Sequence, residues 1–318
     1  MKKYLIPQEG NFYKANLHCH STVSDGHWTP EEIKERYMAQ GYSVVAYTDH
    51  NELVPHNELT DENFVALNGI EYGVNNMEFG VTKSKFRKNC DIGMIALKPD
   101  NFVTYHQANK DFTLRYLPEV INELIDGGIK MGFFVTHNHP TWSREEYGDY
   151  IAYNNMNALE IFNYGCSCSG FDEHNSKVYD DMLRQGKRLY CIAGDDNHNY
   201  PQKPDSFGGF TMIKANKLEY EVVTDALLKG NFYASEGPLI YNLWYEDGKV
   251  YVENSPAQKV FITKPGKNVG VVKGDALVNS ASFVVEDDDE YFYITVVDEK
   301  GRKAYTNAYF IEDLDNEV

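Results

Sequence analysis

Short apolar runs alternate with amphipathic segments from the start of the chain to about residue 235. The apolar runs are rich in Val, Ile, Ala, Phe and Tyr and are bounded by turn residues, a pattern typical of buried strands. We predict strands at residues 15–20, 44–49, 64–71, 92–97, 132–137, 158–162, 190–193 and 211–214. Strands that alternate with helical segments indicate an α/β fold.

The segments between these strands have the period and end signals of helices. Helices are predicted at residues 30–40, 117–126, 173–185 and 218–228. Thr29 is in the position of an N-cap before Pro30, which favours the first helical turn. Gly41, Gly127 and Gly186 follow helical segments and are predicted to end them.

The pattern changes after the sequence SEGP at residues 235–238. From there the chain alternates β-type residues with turn signals, such as DGK at 247–249 and DEKGRK at 298–303, and no segment has helical period. The sequence therefore predicts two domains, a barrel-like α/β domain at residues 1–236 and a small all-β sandwich domain at residues 237–318.

The amino-acid composition predicts a protein without membrane helices and with reduced cysteines. The chain is 42% hydrophobic, and no stretch approaches the ~18 to 20 apolar residues that a membrane helix needs. The N-terminal apolar run is interrupted at once by Pro7, Gln8 and Glu9, so no secretory signal is expected. Five cysteines form an odd number without a CxxC pair, which favours reduced thiols and a cytoplasmic location.

The chain is strongly acidic, with a formal net charge of −18 from 48 acids and 30 bases. Duplex nucleic acid is therefore not an expected partner, because its binding depends on phosphate neutralisation by Lys and Arg. A membrane partner is not expected either. Small phosphorylated substrates or short nucleotides are still expected partners, because bound metal ions would make the electrostatic potential positive at their binding site.

Side chains that bind metals gather at the ends of five predicted strands. His18 and His20 are two residues apart, which places them on one face of the first strand. Six of the ten histidines fall at such ends, together with Asp and Glu residues; the histidines are His18, His20, His50, His137, His139 and His198. Active sites of α/β folds are built at these ends, and imidazole with carboxylate suits borderline divalent metals.

The order of short motifs resembles the PHP (polymerase and histidinol phosphatase) family. The motifs are HCH, SDG, TDHN, GIE, HP and a D-x-H, and they span about residues 12–236. The resemblance implies a metal-dependent phosphoesterase on a distorted (β/α)7 barrel. The β segment that follows SEGP is also similar to that of PHP proteins with a C-terminal sandwich.

The resemblance also implies roles for individual residues. His18, His20 and Asp196 would bind one metal, and Glu71 would bridge that metal to a second one. His139 would bind the second metal. A third metal would be held by Asp25, His50 and His198. Two or three divalent ions are therefore expected, with Zn, Mn or Fe as the first candidates and Mg as a further one.

One position departs from the family pattern. A histidine is expected between the GIE and HP motifs, and the sequence there reads KNCDIGMIALK. Asp91 or Cys90 would take its place, and Asp91 could still ligate through oxygen. A two-metal enzyme is therefore an alternative to a three-metal one.

Further residues near the motifs are candidates for orienting ligands or contacting the substrate. His137 shares a strand face with His139 by the period of two, and Asp49 stands beside His50. The remaining candidates are Glu160, Asp195 and Arg144.

The leading hypothesis is hydrolysis of a small phosphate ester by attack of a metal-bridging hydroxide. Four carboxylates against three divalent cations leave a positive excess that a phosphate group would balance. One alternative is a nuclease or oligonucleotide phosphatase of the same fold. The other is a catalytically weakened metal-binding scaffold with a ligand-binding β domain.

Overall fold

The computed structural model describes residues 2–79, 87–267 and 269–315 and shows a mixed α/β protein. The strands are β1 (Lys3–Tyr4), β2 (Asn11–Asn16), β3 (Val44–Tyr47), β4 (Val65–Asn75), β5 (Asn89–Ala96), β6 (Phe133–Asn138), β7 (Ala158–Asn163), β8 (Tyr190–Gly194), β9 (Phe210–Ala215), β10 (Phe232–Ser235), β11 (Ile240–Glu246), β12 (Lys249–Thr263), β13 (Val271–Val284), β14 (Tyr291–Val297), β15 (Lys303–Thr306) and β16 (Tyr309–Phe310). The helices are α1 (Pro30–Ala39), α2 (Tyr105–Ala108), α3 (Pro118–Lys130), α4 (Tyr147–Tyr150), α5 (Tyr164–Cys168), α6 (Ser176–Arg184), α7 (Tyr220–Leu228) and α8 (Ile311–Asp315). None of the helices within these ranges is both long and apolar enough to cross a membrane.

The strands of the first 235 residues are only partly parallel. Apart from β1, they follow the order β10-β9-β2-β3-β4-β5-β6-β7-β8 in the sheet. The pairs β2–β3, β3–β4, β6–β7 and β7–β8 are parallel, as a strand-helix alternation predicts. Strand β5 instead runs antiparallel to both β4 and β6, and β9 runs antiparallel to β2. Antiparallel neighbours need no helical crossover, so the predicted alternation does not hold at β5.

The first predicted strand ends earlier than expected. The prediction was residues 15–20, whereas β2 ends at Asn16. Beyond this point the backbone changes partners: the Cys19 N–H donates to Thr48 Oγ1 at 3.0 Å, and the His20 N–H donates to the Asn197 carbonyl oxygen at 3.2 Å. The two histidines therefore lie just beyond the strand, on a segment that the chain near residues 48 and 197 holds in place.

The helix signals of the sequence are confirmed at α1 and wrong at the end of α3. Thr29 forms a capping box with Glu32 at the start of α1, as its N-cap position predicts. Gly127 was expected to end its helix, but α3 continues to Lys130. The ring of Tyr105 packs where a β-carbon of residue 127 would lie, at 2.2 Å, so this glycine is needed for close packing and not for a helix stop.

The C-terminal segment is rich in β-structure, as predicted. Its strands β11 to β15 enclose an apolar core with members such as Leu243, Val260 and Ile294. Strand β1 pairs with β11, and β15 pairs with β10, so the hydrogen-bonded path is continuous between the two parts. The division at residues 236 and 237 stays a prediction.

Asn307 links the two parts of the chain through a buried amide. Its Oδ1 accepts from the Cys191 N–H at 2.9 Å, and its Nδ2 donates to the carbonyl oxygens of Gly230 and Phe232 at 3.0 Å each. We expect Asn307→Ala to lower the free energy of unfolding by about 2–4 kcal/mol, because three buried backbone groups lose their partner. Chemical denaturation measures this loss. Asn242→Ala, which removes one exposed bond to Glu253, is the control and should cost less than about 0.5 kcal/mol; equal losses would contradict the prediction.

Candidate metal centre

Five strands of the sheet bring the predicted metal-binding residues to one end of it. His18 and His20 follow β2, and His50 follows β3. Glu71 lies within β4, which extends past the end that the sequence predicts. His139 follows β6, and Asp196 and His198 follow β8. Residues that are up to 180 positions apart in the sequence therefore share one site.

The innermost cluster consists of His18, His20, Glu71 and Asp196. His18 Nε2 lies 3.1 Å from Glu71 Oε1 and 3.3 Å from Asp196 Oδ1. His20 Nε2 lies 3.4 Å from Glu71 Oε2 and 3.0 Å from Asp196 Oδ1, and the two Nε2 atoms are 3.2 Å apart. One atom of each residue lies within 4.8 Å of the others. A single ion with ligand distances of about 2.0–2.2 Å spans nearly this separation.

Glu160 on β7 holds two of the histidine-bearing segments. Its Oε1 lies 3.0 Å from His18 Nδ1, and its Oε2 accepts from the His139 backbone N–H at 3.1 Å. Asn163 Nδ2 donates to both Glu160 Oε2 and Asp196 Oδ2, at 2.9 and 3.2 Å. The far nitrogen of His18 is thus directed at a carboxylate, an arrangement that fixes the ring of a metal-binding histidine. This placement agrees with the orienting role considered for Glu160 from the sequence.

A second, more open cluster lies next to the first. Asp25, His50 and His198 share it with His20, and one atom of each lies within 4.8 Å of the others. Asp25 Oδ1 is 3.4 Å from His198 Nε2 and 3.9 Å from His50 Nε2. The side chain of Asp25 is 48% exposed, whereas that of His20 is fully buried. This cluster therefore forms the solvent-facing side of the site.

Nearby carboxylates raise the pKa values of two buried histidines, His20 and His139. Burial opposes protonation of His20, yet the hydrogen bonds and charges of Asp196 and Glu71 outweigh it and raise its pKa to about 9. Burial opposes protonation of His139 as well, and the hydrogen bond and charge of Glu71 raise its pKa to about 10. The carboxylates thus hold positive charge at this point, and the imidazole and carboxylate donors fit a divalent cation in place of protons.

Asp49 and Asp195 bind backbone near the cluster and make no described contact with its histidines. Asp49 accepts from the N–H and hydroxyl groups of Ser21 and Ser24, which orders the loop that carries Asp25. Asp195 accepts from the N–H groups of residues 207, 208 and 209. Asp49 therefore orders a neighbouring turn, and Asp196, not Asp195, points into the cluster.

His137 lies on the opposite face of β6, so its predicted place near His139 is wrong. Its Nε2 is 2.6 Å from Glu145 Oε2, in a buried group that includes Cys90. Asn138 reaches the site instead, where its Nδ2 donates to Glu71 Oε1 at 2.8 Å. The period of two fails because His139 has a left-handed backbone, with φ of 28°, and has already left the strand.

The same geometry corrects two further expectations. Cys90 belongs to the group around His137, so its thiol does not replace the expected histidine at the site. Arg144 is exposed and is not among the residues that line the cavity over the cluster. Asp91 does line this cavity and lies 3.8 Å, through its Oδ2, from His139 Nδ1.

A cavity of about 300 Å³ opens above both clusters. Six of its lining residues were not found by sequence reasoning, because they lie outside the motifs: Gly73, Val74, Asn75, Arg87, Asn89 and Trp142. Among the described residues of the lining, Arg87 is the one lysine or arginine. The Trp142 ring packs edge-on against His139, with centroids 5.0 Å apart. The cavity thus joins the metal-binding side chains to one cation and one large aromatic ring.

Comparisons with known proteins give one short match in sequence and several in structure. No protein-family model matches the chain. A 5′-3′ exoribonuclease of Haemophilus influenzae is 50% identical over 40 residues, which are 13% of this chain and 15% of that protein. The match therefore spans far less than two thirds of the relative.

Three solved structures resemble the chain at low identity. A two-domain protein from Bacteroides vulgatus, described as containing a predicted PHP-like metal-dependent phosphoesterase, is 14% identical, covers 96% of this chain and 98% of its own, and has a TM-score of 0.47. A protein from Bifidobacterium adolescentis, described as a candidate metal-dependent phosphoesterase, is 15% identical over 71% of this chain and 98% of its own, with a TM-score of 0.44. An amidohydrolase from Chromobacterium violaceum with bound sulfate and no metal is 16% identical over 58% of this chain and 87% of its own, with a TM-score of 0.41. All three TM-scores are below 0.5.

Proposed function

We propose that this protein is a metal-dependent hydrolase of small phosphate esters. The observation that carries the proposal is the buried cluster of His18, His20, Glu71 and Asp196, which one ion could join, at the floor of a cavity of about 300 Å³. A cavity of this size accommodates a small molecule and not a folded polymer.

The proposed metal ligands are those that the sequence motifs indicate. His18, His20 and Asp196 would hold one ion. Glu71 would bridge this ion to a second one, which His139 would bind. Asp25, His50 and His198 would hold a further ion on the open side. Divalent ions in this place would supply a hydroxide nucleophile at neutral pH and neutralise charge on a phosphoryl group.

The chain's own residues would keep this arrangement rigid. Asn138 Nδ2 donates to Glu71 Oε1, which leaves the other oxygen of Glu71 directed at His20 and His50. Glu160 orients His18, as its 3.0 Å contact indicates. Rigid donors of this kind avoid reorganisation when charge develops on the substrate.

We also propose that β2 to β9 close into the distorted (β/α)7 barrel that the resemblance implies. Contacts between β8 and its distant neighbours support closure. The Ala193 N–H donates to Thr211 Oγ1 of β9 at 3.1 Å, and that hydroxyl donates to the Ala193 carbonyl oxygen at 3.0 Å. The Asp196 N–H donates to the His18 carbonyl oxygen at 2.9 Å. The cytoplasmic location and the exclusion of duplex nucleic acid stay predictions.

Metal analysis together with a substrate panel tests the function. The purified protein, supplied with Mn or Zn, should bind two or three equivalents of metal and hydrolyse an aryl phosphate ester or members of a panel of phosphorylated metabolites. A protein that stays metal-free would contradict the proposed site. A metal-loaded protein that is inactive on the whole panel would favour the scaffold alternative.

A second candidate function is hydrolysis of short nucleotides or oligonucleotide ends. The short stretch of 50% identity to a 5′-3′ exoribonuclease favours it. The net charge of −18 opposes long polyanionic substrates but not single nucleotides. Activity on mononucleotides and short oligonucleotides, compared in the same panel with sugar phosphates, separates the two candidates.

Arg87 is expected to bind an anionic part of the substrate. Its side chain is exposed at the cavity and donates from Nε to Asn89 Oδ1 at 3.2 Å, and no carboxylate partner is found for it among the described residues. Arg87→Ala should lower kcat/KM by about tenfold to a hundredfold, since a hydrogen bond to a charged group contributes about 1.5–3 kcal/mol. Steady-state kinetics measure the loss.

Lys88→Ala is the matched control for Arg87→Ala. The Lys88 ammonium donates to Asp149 and Glu146, at 2.7 and 3.0 Å, and does not line the cavity. This variant should keep kcat/KM within about twofold of wild type, because surface ion pairs contribute little. Equal losses in the two variants would point to net charge and not to a contact of Arg87.

A further inference from the structure

Asp91 stands where the family pattern expects a histidine, and its surroundings suggest another role than that of a ligand. It lies on β5, opposite Asn138 of β6, and is 4% exposed. A β-carbon at Gly73 would lie 2.6 Å from Asp91 Oδ1, so this glycine leaves space for the carboxylate. The carboxylate therefore occupies the space that Gly73 leaves between β4 and β5.

The two ring nitrogens of His139 have different partners. Nε2 faces the shared carboxylates, at 3.3 Å from Glu71 Oε1 and 3.9 Å from Asp196 Oδ2. Nδ1 faces the other way, at 3.2 Å from Ser143 Oγ and 3.8 Å from Asp91 Oδ2. An ion bound by Nε2 would lie on the opposite side of the ring from Asp91.

Ser143 completes a chain of hydrogen bonds with one consistent direction. Its hydroxyl donates to Asp91 Oδ2 at 3.1 Å, which leaves its oxygen to accept from His139 Nδ1. The backbone fixes the serine, because its N–H donates to the His139 carbonyl oxygen at 3.0 Å and its carbonyl accepts from the Asn89 N–H at 2.9 Å. The serine hydroxyl thus connects the carboxylate to the ring.

We infer that Asp91 is a positioning residue for His139 and not a metal ligand. Through Ser143 it keeps a proton of the ring on Nδ1, so that the Nε2 side of the ring is left for an ion shared with Glu71. This inference rests on the proposed function, since it assigns the role of one residue in the same metal site. Its consequence is that the second metal position has His139 and shared carboxylates as its side-chain ligands, and no replacement for the missing histidine.

The contact of Glu160 with His18 shows the same arrangement in this chain. Glu160 Oε1 lies 3.0 Å from His18 Nδ1, while His18 Nε2 faces Glu71 and Asp196. Metal-binding histidines commonly direct their second nitrogen at a carboxylate or hydroxyl in this way. Asp91 differs from Glu160 in acting through an intervening hydroxyl.

Metal stoichiometry and the absorption spectrum of the cobalt-substituted protein test the inference. Asp91→Asn and Asp91→Ala should bind as many equivalents as wild type at saturating Co²⁺, with the same visible spectrum. The affinity for the most weakly bound ion should fall by about tenfold to a hundredfold in Asp91→Ala and in Ser143→Ala. Asp100→Asn, an exposed substitution outside the site, is the control and should leave the affinity unchanged.

Loss of one equivalent, or a changed cobalt spectrum at full loading, in Asp91→Asn would overturn the inference, because a direct ligand would then have been removed. The proton on His139 Nδ1 gives a readout that needs no metal. Its downfield NMR signal should be present in the wild-type protein and lost in Ser143→Ala and Asp91→Ala. A wild-type protein that binds no metal would contradict the proposed function, while an Nδ1 proton that is unchanged in both variants would overturn the role of Asp91.

Discussion

Glu71→Gln is expected to abolish metal binding at the inner cluster and to lower turnover by about 10³-fold or more. The carboxylate of Glu71 lies 3.1–3.4 Å from nitrogen atoms of four histidines: His18, His20, His50 and His139. The neutral amide keeps the shape of the side chain but loses the charge that cations require. Bound metal ions lower the activation barrier of hydrolysis by several kcal/mol, and each change of about 1.4 kcal/mol in the barrier changes the rate tenfold.

Glu236→Gln is the matched control for this substitution. Glu236 is a half-buried carboxylate whose Oε1 accepts from the Lys303 N–H at 2.7 Å and lies 3.5 Å from His174 Nε2, and it belongs to neither metal-binding cluster. Metal content by elemental analysis and turnover on the same phosphate ester should match wild type in this variant. Retention of full metal content by Glu71→Gln would exclude Glu71 as a shared ligand.

Metal affinity is expected to rise steeply with pH between about 7 and 9. His20 and His139 of the metal-free protein have pKa values raised to about 9 and about 10 by Asp196 and Glu71 against the effect of burial. A metal ion must therefore displace their protons. At pH values below the pKa, the apparent metal affinity rises about tenfold per unit increase in pH for each proton that is displaced. Calorimetric titrations in buffers of different ionisation enthalpy would count the released protons.

The same pKa shifts predict the opposite pH dependence for the stability of the metal-free protein. A raised pKa in the folded state contributes stability that is fully present below the unfolded value of about 6.5. This contribution is lost as the pH rises through about 9 to 10, where His20 and His139 release their protons. Thermal unfolding of the metal-free protein should show a falling Tm over this range, and a Tm independent of pH would contradict the assigned shifts.

Much of the candidate site could be predicted because its metal-binding side chains belong to short sequence motifs. His18 and His20 form one such motif, and Asp196 and His198 form a D-x-H motif. Both motifs lie near the ends of strands, and this position does not depend on how the strands pair. The structure brings these residues together with Glu71. The helix signal at Thr29 was also local, and the capping box is present.

Predictions that depend on where a strand ends were less successful. The period of two places His137 beside His139, but the left-handed backbone of residue 139 breaks this alternation after β6, and Asn138, not His137, contacts Glu71. Gly127 has the sequence signal of a helix stop, but α3 continues to Lys130 and the ring of Tyr105 packs against this glycine. Each error arises from a contact with a distant segment or from one backbone angle, and neither is visible in a local pattern.

The sequence by itself determined the mixed α/β character, the β-rich C-terminal segment and the residue types gathered for metal binding, because hydrophobic period and ligand chemistry are local properties. Only the tertiary structure decided the antiparallel direction of β5, the placing of Arg87 and Trp142 at the cavity, and the side of His139 on which Asp91 lies. These features depend on which distant strands pair and on which face each side chain points to. The physical reason is that hydrogen-bond partners and packing neighbours are chosen across the fold and not along the chain.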